Sequence, residues 1–144
     1  ATNGVAYKLT TLSSTSTARY YVGVYVLKED SLIASLVWQS TEQDGSAASG
    51  STGNKVLTGI SATIKYSDIY GVAFFSNDSD IIVAGVTNKA AMRRFGTTQA
   101  YNHGHYATAS DFTTTYATTM PSTVDPAAAS SGDYRAPTAM LRKT

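Results

Sequence analysis

The run Ala18-Arg-Tyr-Tyr-Val-Gly-Val-Tyr-Val-Leu-Lys28 constrains this chain more than any other stretch. Successive side chains of an extended strand point to opposite faces, so Tyr20, Val22, Val24 and Val26 share one side while Tyr21, Gly23, Tyr25 and Leu27 share the other. Both sides are apolar. Such a strand needs cover on both faces, which predicts a place inside a sandwich or between protomers. Lys28-Glu-Asp-Ser31 then supplies three charged residues and a turn former. Leu32 to Trp38 resumes the β composition, so the two runs read as a hairpin.

The neighbouring segments extend the β pattern. Gly4 to Leu12 places Val5, Tyr7 and Leu9 on one face and reads as a first strand at a sheet edge, ended by the polar Ser13 to Thr17. Gln39 to Asn54 is polar and carries Gly45, Gly50 and Gly53 among serines, a composition that predicts a long surface loop. Val56 to Tyr66 alternates again through Ile60, Ala62 and Ile64, with Gly59 hinting at a bulge or a close backbone approach. Tyr70-Gly-Val-Ala-Phe-Phe75 follows as another strand. Asn77-Asp-Ser-Asp80 is dense in turn formers, and with Ile81 to Val86 beyond it the sequence predicts a second hairpin. Closely spaced strands without intervening helical periods indicate an all-β sandwich or barrel.

The character changes after Asn88. Lys89 to Phe95 has room for one or two helical turns, and Gly96 to Arg135 shows neither sustained alternation nor a helical period. Within a single domain spanning 1–144, residues 89–135 therefore stand out as a long irregular C-terminal segment. Segments of that length usually serve as functional loops or pack against a partner chain. Ala136 to Arg142 reads as a terminal strand closing the sheet, with Pro137 at its start where a missing donor does least harm.

Composition limits the role. The chain has 144 residues, 42% of them hydrophobic, enough for one domain with a real core. It contains no cysteine, which excludes disulfides and thiolate metal sites. Eleven Lys and Arg against ten Asp and Glu leave no field that would hold nucleic acid or an anionic membrane. No apolar run approaches the roughly 20 residues that span a bilayer, so membrane insertion is not expected. Residues 1–88 carry five basic and seven acidic side chains, and residues 89–144 six basic and three acidic ones. That asymmetry favours contact between the two parts, within or between protomers.

Motifs for chemistry are sparse. His103 and His105, the only histidines, form an H-x-H step that points both rings to one side of an extended segment. Two ligands are too few for a standard zinc site on one chain, although a threefold axis would bring six nitrogens together. No metal or cofactor is expected. Asp78 and Asp80 lack the glycine and terminal glutamate of an EF-hand loop, and a hairpin turn accounts for them. Asn77-Asp-Ser79 also fits a glycosylation sequon, a short and common pattern. Neither a nucleophile elbow nor a phosphate-cradling glycine motif occurs, and most carboxylates sit in turns. Trp38 reads as a core or interface residue. The better binding candidates are Tyr101, Asn102, His103, His105 and Tyr106, whose rings suit the apolar face of a sugar while amide and imidazole groups bond its hydroxyls. The same tyrosines would serve as well to pack the long segment onto the sandwich or a neighbour.

The order of these pieces resembles the C-terminal head domains of bacteriophage tail fibres and related receptor-binding proteins. The resemblance rests on Tyr21-Val-Gly-Val-Tyr-Val26, its return strand Leu32-Ile-Ala-Ser-Leu-Val37, the strand Tyr70 to Phe75, the irregular segment rich in Ala, Thr and aromatics, and the closing Tyr134-Arg-Ala-Pro-Thr-Ala-Met-Leu141. It covers most of residues 18–144 and consists of pattern and order rather than an invariant motif. It implies a jelly-roll-like antiparallel β-sandwich, a homotrimer about the fibre axis, and attachment to a host surface polysaccharide or protein without catalysis. A virion location, outside the cell and among other virion proteins, goes with it. Residues 1–17 show no triple-stranded shaft repeat, so a shaft would lie upstream of Ala1. Two other roles fit the residues: a structural virion protein, such as a capsid decoration or tail component, whose long segment clasps neighbouring subunits, or a small carbohydrate-active enzyme with two converging carboxylates.

Overall fold

The computed structural model describes residues 4–28, 30–61, 63, 68–78, 80–86, 119–124, 136–137 and 139–142, and among these every regular element is a strand. In chain order they are β1 (Gly4–Thr11), β2 (Arg19–Leu27), β3 (Ala34–Gln39), β4 (Gln43–Asp44), β5 (Gly53–Thr58), β6 (Ile69–Ser76), β7 (Ile82–Val83), β8 (Gly85–Val86), β9 (Thr123–Val124), β10 (Ala136–Pro137) and β11 (Ala139–Arg142). The fold is all-β, and its strand ladders are antiparallel.

Two sheets face each other. The first has four strands and is centred on β1, which pairs with β5 along one edge and with β11 and β7 in succession along the other. β1 is thus interior rather than the edge strand its imperfect alternation predicts. Its polar positions Lys8 and Thr10 are exposed because the outer face of this sheet meets solvent. The second sheet has five strands and is centred on β2, flanked by β6 on one side and by β3 and β4 on the other, with β9 outside β3. β3 and β4 run as one interrupted strand beside β2. Val37 is the extra residue where the register shifts between Val24↔Trp38 and Tyr25↔Leu36, and a second shift separates Gly23↔Gln39 from Tyr20↔Gln43.

The main core fills the space between the sheets. Val5, Tyr7 and Leu9 of β1 meet Tyr20, Val22 and Val24 of β2 there, joined by Ile60 and by the half-buried Trp38, Val72, Phe74 and Leu141. Tyr7 spans the gap: its hydroxyl lies 2.9 Å from that of Tyr20, and its ring meets Phe74 edge-on with centroids 5.1 Å apart. A second, smaller core lies on the far side of β2, where Tyr21, Tyr25 and Ala34 pack with Met120, and Leu27, Leu36, Ala73, Phe75 and Val124 surround them. Every residue from Tyr20 to Val26 is consequently buried, as the apolar pattern on both faces requires.

Three further sequence expectations change. The polar 39–54 stretch is not simply a surface loop: Gln43 and Asp44 pair with β2, and Ser40, Gly45 and Ser46 are buried. Hydrogen bonds rather than apolar burial order it, including Val22 N–H to Ser40 Oγ at 3.1 Å and Ala47 N–H to Ser13 O at 2.7 Å. The strand expected over 56–66 instead begins at Gly53 and ends at Thr58. Gly59 follows it with φ of +89° and open space where a Cβ would sit, so this glycine serves a left-handed backbone and not a close approach. The turn at Asn77 does not close a hairpin either. Asn77 Oδ1 accepts from Arg19 N–H at 2.7 Å, its Nδ2 donates to Thr17 O, and Ser13 Oγ donates to Asp78, so the turn is fastened to the 13–19 connection. From there the chain crosses to the first sheet, where β7 pairs with β1. The possible helical turns at 89–95 lie outside the described residues.

Candidate functional site

One edge of β1 is shared. Gly4 to Tyr7 pair with Arg142 to Ala139 of β11, and Leu9 and Thr11 pair with Val83 and Ile82 of β7. Where the first partner leaves and the second takes over, the chain peels away: Ala84 N–H still donates to Lys8 O at 2.8 Å, and β8 then pairs with β10 through Gly85↔Pro137 and Val86↔Ala136. β7 and β11 are two halves of one edge. The β8–β10 pair thus brings together Val86 and Ala136, which bracket residues 87–135 in the sequence, and of these the structure describes 119–124.

These described residues lie on the far face of the second sheet. Residues 119–124 run across β2 and β3 as a strap, with the buried Met120 seated over Gly23 between the two tyrosines of the strand. A Cβ at position 23 would come within 2.6 Å of the Met120 sulfur and 3.1 Å of Leu36 Cδ1, so the missing side chain makes the seat. Polar bonds fix the register. Met120 N–H donates to Gln39 Oε1 at 2.9 Å, Tyr25 Oη donates to Pro121 O at 2.7 Å, and Leu36 N–H donates to Ser122 O at 2.8 Å. Thr123 and Val124 then add to the sheet opposite Ser35 and Ala34. Burial raises the Tyr25 hydroxyl to about 12, so it stays a donor across the ordinary pH range.

Beyond the strap the same face opens. Leu27 belongs to the second core and pairs with Ile69, whose side chain shares its face yet is 67% exposed. At the same end of the sheet, the β2–β3 turn presents Leu32 at 86% and Ile33 at 41% exposure. Ser31 holds this turn, its Oγ accepting from Ile33 N–H at 3.1 Å and its N–H donating to Lys28 O.

The opposite end of the sandwich is polar. Arg19 Nη1 donates to Asp44 Oδ1 at 3.3 Å and its Nε approaches Glu42 at 4.0 Å. Asp44 also accepts from Ser49 Oγ and Ser46 N–H, which with Arg19 hold its carboxyl below the usual range. Asp78 is lowered chiefly by the Asp80 N–H and then by Ser13. The bonds from Ser46, Ser49 and Asp80 shape the local turns, while Arg19 to Asp44 and Ser13 to Asp78 join separate connections, so the two carboxylates act here as fasteners. Among the described residues no three His, Asp or Glu side chains converge as metal ligands would.

The sequence candidates Tyr101, Asn102, His103, His105 and Tyr106 lie outside the described residues, between β8 and the strap in the sequence. Trp38 faces the main core, as its strand position suggests. The sequence reading missed Gly23 and Met120. A lone glycine among the bulky residues of β2 was the available signal.

Fold and site together define an all-β, two-layer scaffold in which the β8–β10 pair joins the two ends of residues 87–135 and residues 119–124 lie against the second sheet. Family models, curated proteins and solved structures offer no match to the chain.

Proposed function

We propose that this domain is a non-catalytic receptor-binding head of a bacteriophage virion fibre, attaching to a host surface polysaccharide or protein. The observation that carries the reading is the Val86↔Ala136 pair. A binding segment is best built as an insertion whose ends are tied together on a rigid scaffold, because its sequence then varies without cost to the core. Residues 87–135 are tied in that way, and Tyr101, Asn102, His103, His105 and Tyr106 fall within them. The order of sequence pieces that resembles tail-fibre heads supports the same assignment, and the homotrimer it implies would bring three such segments together.

The test is a glycan array combined with light scattering. A saturable signal from an oligomeric sample is expected, and Tyr101→Ala with Tyr106→Ala should lower host adsorption at least tenfold while assembly is retained. Undiminished adsorption by a folded double variant would remove these residues from the site. Hydrolysis of the bound glycan, lost on changing a single Asp or Glu, would replace the reading with an enzyme.

A further inference from the structure

We infer that Met120 is an oxidation-sensitive latch: conversion of its thioether to the sulfoxide by a peroxide releases residues 119–124 from the second sheet and leaves the main core intact. The inference is independent of what residues 87–135 bind.

The chain has no cysteine and three methionines, so mild oxidation of sulfur falls on Met92, Met120 and Met140. Met120 is only 5% exposed. Its sulfur lies 2.6 Å and its methyl carbon 2.8 Å from the point that a Cβ would occupy at Gly23, which sets the thioether hard against the backbone of β2. In the reaction a sulfur lone pair attacks one oxygen of hydrogen peroxide and the O–O bond breaks. The second oxygen leaves as hydroxide and takes the proton of the first, so the products are the sulfoxide and water; sulfur is oxidised and the peroxide reduced.

The product does not fit the seat that held the thioether. On the sheet side the new oxygen meets Gly23. Turned elsewhere, it is a strong acceptor in an apolar cluster, and the hydroxyls of the flanking tyrosines are committed, Tyr25 to Pro121 O at 2.7 Å and Tyr21 to Glu42 at 3.3 Å. An acceptor buried without a donor disfavours the closed position. Little opposes release: the strap is held by its bonds to Gln39, Tyr25 and Leu36 and by the two-residue β9 pair, none of which contributes to the main core. Thr119, Ser122 and Thr123 on either side of Met120 are exposed, so a local opening of this segment also admits the peroxide.

The full chain is treated with hydrogen peroxide and sampled over time. Peptide mass mapping reads the sulfoxide at each methionine, and binding of a hydrophobic dye reads exposure of the second core. Dye binding should rise in proportion to Met120 sulfoxide and fall back when methionine sulfoxide reductases restore the thioether. Met120 should oxidise at least about tenfold more slowly than free methionine, because only the opened fraction reacts. Gly23→Ala, which crowds the sulfur, should speed that oxidation. Met120→Leu, close in volume and inert to peroxide, should bind no more dye after treatment than before. Dye binding that follows Met92 or Met140, or that rises equally in treated Met120→Leu, would overturn the inference. So would Met120 sulfoxide that leaves the face covered, or a Met120 that stays reduced until the whole chain unfolds; both are read on the unaltered protein, whether or not the variants fold.

Discussion

Tyr7→Phe would leave the Tyr20 hydroxyl buried between the sheets without the partner it now has 2.9 Å away. The ring contacts survive the change: Tyr7 meets Tyr20 at 86° and Phe74 at 67°, edge-on arrangements that a phenylalanine reproduces. The loss therefore falls on one hydroxyl, and stranding a buried donor costs about 1–3 kcal/mol. With a urea slope near 2 kcal/mol/M, typical of small domains, the midpoint should fall by roughly 0.5–1.5 M. Tyr20→Phe should do the same. Changing both removes donor and acceptor together, so the double variant should lie closer to the parent than the two single losses imply, with a coupling of about 1–2 kcal/mol. Urea titrations of the four proteins, followed by near-ultraviolet circular dichroism, measure it. Strictly additive losses would refute the reasoning, because they would mean the two hydroxyls do not depend on each other. An alkaline arm checks the same groups. Burial raises Tyr7, Tyr20 and Tyr25 above their ordinary value of 10.0, with the shared hydrogen bond raising Tyr7 further. Acids whose folded pKa is raised contribute stability that is fully present below the unfolded pKa and lost as pH climbs through the folded one. Stability should hold up to about pH 10 and fall above it, Tyr25 contributing its share between about 10 and 12.

Other perturbations separate the parts. Gly23→Ala should loosen the strap more than the sandwich, since the added Cβ meets the flexible end of Met120; combined with Met120→Ala it should cost less than the sum, and equal sums by thermal melting would count against the seat. Gly50→Ala should cost more than Gly23→Ala, because the obstacle there is the Ser46 carbonyl at 2.6 Å, which cannot turn aside. Asp78, held below its ordinary value of 3.8 by the Asp80 N–H and Ser13, contributes stability above that value that is lost as pH falls through its folded pKa. Asp78→Asn should therefore flatten the acid limb of a pH melt, and an unchanged limb would show that the fastener does not matter. Replacing 87–135 with Asn-Gly between Val86 and Ala136, a two-residue turn suited to an antiparallel pair, should give a folded sandwich that binds hydrophobic dye at its uncovered second face. Failure of that chain to fold would show that the strap is needed to form the sheet.

Some of this was legible in the chain because the signals are local. Alternation of Tyr20 to Leu27 sets both faces of β2, and Lys28 to Ser31 sets the turn, so the hairpin and the double burial follow from a single window. The neighbours of β1 have no such signal. Val5 pairs with Leu141 and with Leu57 across long stretches of sequence, and nothing near Val5 announces that it is interior. β4 and β7 are two residues each, too short for a period. Ser, Asp and Asn side chains order residues 40–50 and 77–80 through bonds whose partners lie far away in sequence, which is why one stretch read as a loose loop and the other as a hairpin turn. At the strap the glycine was visible, but its partner Met120 lies in a segment without periodicity. Shape complementarity between distant residues leaves no pattern in either.

The two cores make different demands on the chain. The main core is complete once the two sheets meet, and both halves of the β1 edge belong to it. The second core is not: Tyr21, Tyr25, Leu36 and Phe75 would face water without residues 119–124, and burying an aromatic or aliphatic side chain is worth about 1.5–3 kcal/mol. Something must cover that face, and the chain supplies the cover with its own residues 119–124. The segment between Val86 and the strap is thereby held at both ends, at Val86 by a β pair and at Thr119 to Val124 by the seat. A segment anchored twice loses less conformational entropy on meeting a ligand than one anchored once. The apolar second face of β2 thus bears on the binding proposed for Tyr101, Asn102, His103, His105 and Tyr106, because it seats residues 119–124, which follow them in the chain.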